Sequence, residues 1–207
     1  NQLIQDFSPM KFYSFKVKDN SIWVIFIAIF VVASFLSKSF LTYSNLTSVL
    51  MTESIIGILA VGIMWCILSK GIDLTAGSLV ALSSVIVASL AQTPGYSGAF
   101  YKGLDIPVPI AVIAAVAVAS LFGLINGLVI AYTKIPPFIA TLGTQLICRA
   151  AAQLYTNAYP IPELKSGLKV LGQGSIGGVF PVIVVIFIIF AVISGFMLTQ
   201  TRFGKNI

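Results

Sequence analysis

Six apolar segments, each close to the length of a membrane-crossing helix, limit what this chain can fold into. They run over 21–37, 46–68, 75–92, 108–132, 137–156 and 179–200. A helix needs about 20 mostly apolar residues to cross the hydrocarbon layer. The predicted fold is therefore all-α, a polytopic transmembrane helical bundle of six spans. Composition points the same way, since only 9% of the 207 residues are charged and 58% are hydrophobic. A soluble domain carries about 25% charged residues.

Charge sets the expected orientation. The net charge of +6 comes from 12 basic and 6 acidic residues, with no basic helix or stripe of the kind that holds nucleic acid. Lysines that flank spans on the cytoplasmic side explain it instead. With the N-terminus inside, Lys11, Lys16, Lys18, Lys70, Lys134, Arg202 and Lys205 are cytoplasmic, while Lys38, Lys102, Lys165 and Lys169 are outside. The outer loops, 93–107 and 157–178, are then the longer ones, rich in Gly, Pro and Ser. Residues 1–20 read as a cytoplasmic segment and 21–207 as the membrane domain. The first apolar segment follows a basic leader but no A-x-A site, so it reads as a retained anchor rather than a signal peptide.

Several residues are too polar or too small for ordinary lipid-facing positions. Between the second and third segments lies "SKGIDLTAGS". There Asp73 or Thr75 is expected to cap the third helix, where a carboxylate also meets the positive end of the helix dipole. Gly71 is expected to allow a tight turn, and Gly77 the close approach of another helix. A capped surface turn and a broken helix lining a pathway both fit this stretch. The fifth segment opens with Pro136 and Pro137, suited to a helix start. Thr141, Gly143, Thr144, Gln145 and Arg149 follow, with 141, 145 and 149 on one face.

Arg149 has one candidate partner within the spans, Glu53. Each lies about seven residues from its outer helix end, or roughly 10 Å deep. An ion pair, an outward-reaching arginine and a polar passage are the readings open at this pair. On the fourth segment Gly123 and Gly127 have G-x-x-x-G spacing, which permits close helix packing, and Asn126 between them can hydrogen-bond across helices. The chain has no His, and Cys66 and Cys148 sit inside apolar runs, so neither a His-based metal site nor a disulfide framework is expected.

"GIDLTAGS", "INGLVIAY", "PPFIATLGT" followed by Arg149, and "TRFGKN" occur in that order. Together they resemble the membrane permease subunit of bacterial ABC sugar importers, the group serving ribose, galactose or methylgalactoside, and xylose. The resemblance runs from about residue 45 to the last. It implies a permease in the bacterial cytoplasmic membrane that pairs with a second permease subunit. Its other partners would be cytoplasmic ATPase subunits that consume ATP, and an outer sugar-binding protein. This chain itself would bind no cofactor and catalyse no reaction. Gly71, Ile72, Asp73, Leu74, Gly77 and Ser78 match the first motif of the family, Asn126 and Gly127 the second, and Pro137, Thr141, Leu142, Gly143, Thr144 and Arg149 the third. Arg202, Phe203 and Gly204 match the run that leads to the loop contacting the ATPase. Glu53 departs from the family, where a neutral residue is usual. Members are also longer, so Ile207 falls where the coupling helix would begin; the chain is expected to be a C-terminal truncation or a fragment that does not transport alone.

For a neutral sugar, a pathway needs hydroxyl and amide groups rather than dense charge, and Asn126, Thr141, Thr144 and Gln145 supply them, with Glu53 and Arg149 as its charged members. "NGLVIAY" leans towards the galactoside branch. Three rivals remain. A gradient-driven transporter would place titratable groups near the midplane, an intramembrane enzyme would need a nucleophile and base or metal ligands, and a channel would show half-helices or a ring of charge. The chain has no G-x-x-x-x-G-K-[ST] phosphate loop, so a gradient or a partner is expected to supply the energy.

Overall fold

The computed structural model describes residues 21–205, so the basic leader with Lys11, Lys16 and Lys18 lies outside the described residues. The chain divides into two compact units between Leu46 and Thr47. The first contributes α1, Ser21–Leu36, with an aromatic ladder along it in which Phe30 packs edge-on against Phe40 at 5.2 Å.

The helices that follow are α2 (Tyr43–Leu68), α3 (Ala76–Leu90), α4 (Val108–Thr133), α5 (Pro137–Thr156), α6 (Ser166–Gln173), α7 (Val182–Gln200) and the short α8 (Arg202–Lys205). All six expected segments are thus helical. Three of them, α2, α4 and α7, are long and apolar enough to cross a membrane, whereas α1 and α3 are apolar but shorter. At about 1.5 Å per residue, the 15 residues of α3 reach some 22 Å, less than the roughly 30 Å hydrocarbon layer. Helix α5 has 20 residues, but its Thr, Gln and Arg content lowers its apolarity.

Two expectations for the last segments need correction. Residues 157–178 are not simply loop, because α6 occupies Ser166–Gln173. The final apolar helix starts at Val182 rather than 179, since Ser175–Ile176 and Phe180–Pro181 pair as an antiparallel hairpin. Gly177 and Gly178, with φ of +62° and +74°, open the three-residue loop 177–179 that joins the two strands.

Helices α3, α4 and α5 pack together as the core. Leu82, Cys148 and Ala152 are buried there against Leu79, Val85, Val118 and Phe122. Small residues make this possible, with Ala111 and Ala115 of α4 also buried. Outward faces are apolar: Ile113 on α4 is 66% exposed and Val192 on α7 65%, surfaces that need lipid or another helix to cover them. Trp65 donates its indole N–H to the Ser194 hydroxyl at 2.7 Å, a polar tie between α2 and α7.

At one end of the core, the 93–107 and 157–165 loops are joined. Gln92 donates to the Pro162 carbonyl at 3.0 Å and accepts from the Phe100 N–H at 2.7 Å. Thr93 N–H donates to Glu163 O, and Lys165 N–H to Ala91 O. The Lys165 ammonium bridges the Asp105 carboxylate and the Ile106 carbonyl. Ser89, Tyr155 and Tyr101 are linked through their hydroxyls, each at 2.8 Å, and Phe100 stacks on the Tyr155 ring.

Candidate functional site

At the opposite end, where α2 and α4 finish and α3 and α5 begin, three of the sequence motifs meet. Helix α2 closes by a Schellman arrangement: Gly71 N–H donates to Cys66 O at 2.8 Å and Lys70 N–H to Ile67 O at 2.9 Å. The left-handed position of this turn belongs to Lys70, with φ +60°, not to Gly71. Gly71 serves a different need, because a Cβ there would stand 3.2 Å from the Cys66 carbonyl. Lys134 ends α4 in the same way, left-handed at φ +56° with its N–H on Ile130 O.

From Gly71 to Thr75 the backbone is irregular before α3 starts at Ala76. The expected side-chain cap is not made: the N-cap of α3 is Thr75, and Asp73 lies two residues ahead of it. One Asp73 carboxylate oxygen accepts from Thr75 N–H at 2.8 Å and from its hydroxyl at 2.5 Å, an Asx turn that leads into the helix. Thr75 is 1% exposed and has no side-chain capping bond of its own. Its carbonyl instead accepts from the Ser78 hydroxyl at 2.8 Å. The charge of Asp73 therefore sits at the positive end of α3, where the helix dipole offsets it.

Helix α5 is tied to this turn and to α4 by its threonines. The Thr141 hydroxyl reaches Ile72 O at 3.1 Å as well as its own helix at Pro137 O. The Thr144 hydroxyl donates to Asn126 Oδ1 at 2.5 Å. Asn126 is 7% exposed, so one end of its amide is satisfied by Thr144 while the other has no partner among the described residues.

Around these groups lies a cavity of about 380 Å3, walled by Asp73, Gly123, Asn126, Gly127, Pro137 and Thr141, with Cys66, Ser69 and Lys70 along its α2 side. Among the described residues the G-x-x-x-G pair packs against no helix: a Cβ at Gly123 or Gly127 would meet nothing within 4 Å. The same holds at Gly77 and Gly143, so the close approach expected at Gly77 is not made among them either. Cys66 and the Ile72 carbonyl were not legible as part of this site, because an apolar run and a backbone oxygen give no signal in sequence.

The other expected residues lie elsewhere. Along α5, Thr141 is buried, Gln145 half-buried and Arg149 exposed. Each four-residue step overruns the helical turn by about 40°, and from Thr141 that drift carries Gln145 and Arg149 off the core. The buried line instead continues through Cys148, Ala152 and Thr156. Arg149 lines a separate groove with Ser84, Gln153, Thr156 and Tyr159, some 12 Å along the helix from Thr141 at about 1.5 Å per residue. Glu53 is exposed on α2. The two do not pair, since Lys165–Asp105 is the sole ion pair among the described residues. Arg202, Phe203 and Gly204 fall in α8, whose start is capped by the Thr201 hydroxyl accepting from Gly204 N–H at 3.3 Å.

Residues 45–207 match the family described as branched-chain amino acid transport system, permease component. The galactose/methyl galactoside import permease proteins of Haemophilus influenzae and of Escherichia coli K12 are each 32% identical over 198 residues, covering 92% of this chain and 59% of theirs. The ribose import permease protein of Bacillus subtilis is 36% identical over 155 residues, covering 74% of this chain and 44% of its own. The chain thus spans less than two thirds of the length of these relatives. No solved structure matches it.

Proposed function

The chain belongs to the permease-component family of branched-chain amino acid transport systems, and from that premise we propose that it forms part of the membrane permease of an ATP-driven sugar importer. Its cargo would be galactose or methyl galactoside, or a ribose-like monosaccharide. The observation that carries this reading is the similarity, across 92% of the chain, to permeases that import galactose and methyl galactoside. The end cavity supports it chemically, because its walls combine apolar surface with an amide and hydroxyls. Asn126, Thr141 and Thr144 are the pathway groups at this end, with Gln145 one turn beyond Thr141 along α5. Glu53 and Arg149 belong to the pathway as separate charges rather than as a pair.

In this reading the chain is an integral protein of the bacterial cytoplasmic membrane, with six spans and an inner N-terminus. It pairs with a second permease subunit and receives sugar from a binding protein outside. ATP is hydrolysed by separate subunits that engage beyond Arg202, Phe203 and Gly204, so the permease itself is not an enzyme.

The test is uptake of labelled galactose, ribose and leucine in cells carrying or lacking the gene, with the proton gradient collapsed and ATP maintained. Gene-dependent sugar uptake is expected to persist. Uptake that disappears with the gradient would replace this reading by a gradient-driven transporter and make Glu53 the residue to pursue.

A further inference from the structure

We propose that the cavity between the α2–α3 turn, α4 and α5 is a binding subsite for a polyhydroxyl solute, with the Asn126 amide and the Asp73 carboxylate engaging its hydroxyls. This deepens the sugar-import reading and rests on it. Asn126 is 7% exposed, and only one end of its amide is bonded, to Thr144. A buried amide with a free end costs free energy unless a ligand or water completes it. That end retains access, since no buried side-chain polar atom among the described residues is both inaccessible and without a partner, and the accessible space beside it is the cavity. Asp73 has the converse arrangement. One oxygen is occupied by Thr75, and the other accepts no hydrogen bond among the described residues.

A donor on α4 and an acceptor on the α2–α3 turn, both lining the cavity, suit the hydroxyl groups of one ligand, which both donate and accept. The charge state favours a neutral ligand over a zwitterion. The Asp73 charge is already met by two donors and the α3 dipole, so it does not need the ammonium group of an amino acid. Ile130, Ala131 and Pro137 add apolar wall for the C–H face of a sugar ring. Gly123 and Gly127 keep the volume free, since a Cβ at either enters open space.

Cys66 reports on occupancy without any engineering. It lines the cavity and, on its other side, an apolar groove with Trp65, Ser194 and Met197 that a charged reagent enters poorly, whereas Cys148 is 0% exposed. In membrane vesicles bearing the chain, a charged methanethiosulfonate reagent is expected to modify Cys66 severalfold more slowly with galactose or ribose present. Leucine is expected to leave the rate unchanged. Gly127→Val, or Gly123→Val as a second variant, should slow labelling by filling the cavity and abolish sugar protection. Gly62→Val, at another glycine with open space beside it, should alter neither. Equal membrane content by immunoblot shows that each variant folds. Absence of sugar protection while ATP-driven sugar uptake persists would overturn the subsite alone. Protection by leucine and not by sugars would overturn the sugar-import reading with it. Cys66 that resists the reagent throughout, or labels equally in Gly127→Val, would also overturn the subsite.

Discussion

Lys70 and Gly71 show how closely a sequence reading can approach a turn and still misassign it. Glycine is the residue expected at a left-handed helix end, and one is present. The chain instead places Lys70 at φ +60° and uses Gly71 one position later, where a Cβ would press against the Cys66 carbonyl at 3.2 Å. A non-glycine residue in the left-handed region costs about 1–2 kcal/mol. Lys70→Gly is therefore expected to stabilise the protein by about 1 kcal/mol after its own entropic cost, with Gly at the preferred closing position. A rise in the thermal midpoint of the detergent-solubilised protein would register this; a fall would mean that the lysine contributes more than its strain. Asp73 was legible as a polar residue at the start of α3, because such turns are local, but its carboxylate bonds the N-cap residue Thr75 rather than the first turn of the helix. Asn126 was legible as a polar residue in an apolar helix, but its partner Thr144 belongs to the next helix.

Among the elements, the loops that join α3 to α4 and α5 to α6 share one buried side chain beside their backbone bonds and the Lys165–Asp105 bridge. Gln92 uses both ends of its amide, one on each loop, and is 5% exposed. Gln92→Leu would leave the Phe100 N–H and the Pro162 carbonyl without it, at about 1–3 kcal/mol for each group left unsatisfied. Because the loss falls on loop attachment, faster proteolysis within 93–107 is expected, with the helical circular dichroism unchanged. Equal protease resistance in the variant would show that the Lys165–Asp105 bridge and the backbone bonds suffice. The helices themselves followed from periodicity and length, while the hairpin at 175–181 did not. Its strands are two residues each, too short for a pattern to emerge before the turn glycines are known to adopt positive φ.

On the scale of the whole molecule, the open question is which end of the bundle faces the cytoplasm. Lys70 and Lys134 both close helices at the cavity end, and cations are favoured at helix C-termini. That local preference and the positive-inside bias act on the same two residues. Single cysteines placed at Ser97 and at Lys134, in a background lacking Cys66 and Cys148, separate the two orientations. A membrane-impermeant thiol reagent added to intact cells is expected to label position 97 directly and position 134 only after permeabilisation. The reverse pattern would invert the topology and place the cavity at the outer surface.

Length and apolarity determined the six long helical segments, since a segment of some 20 apolar residues has few alternatives, and local residue type determined the proline start of α5. Tertiary structure decided everything that depends on two segments at once. It separated Glu53 from Arg149, which matching depth had paired, because depth along a helix says nothing about which way a side chain faces around it. It also turned Gly123 and Gly127 from an expected packing face into a wall of open space. Small residues permit either contact or cavity, and only the position of the neighbouring helices selects between them.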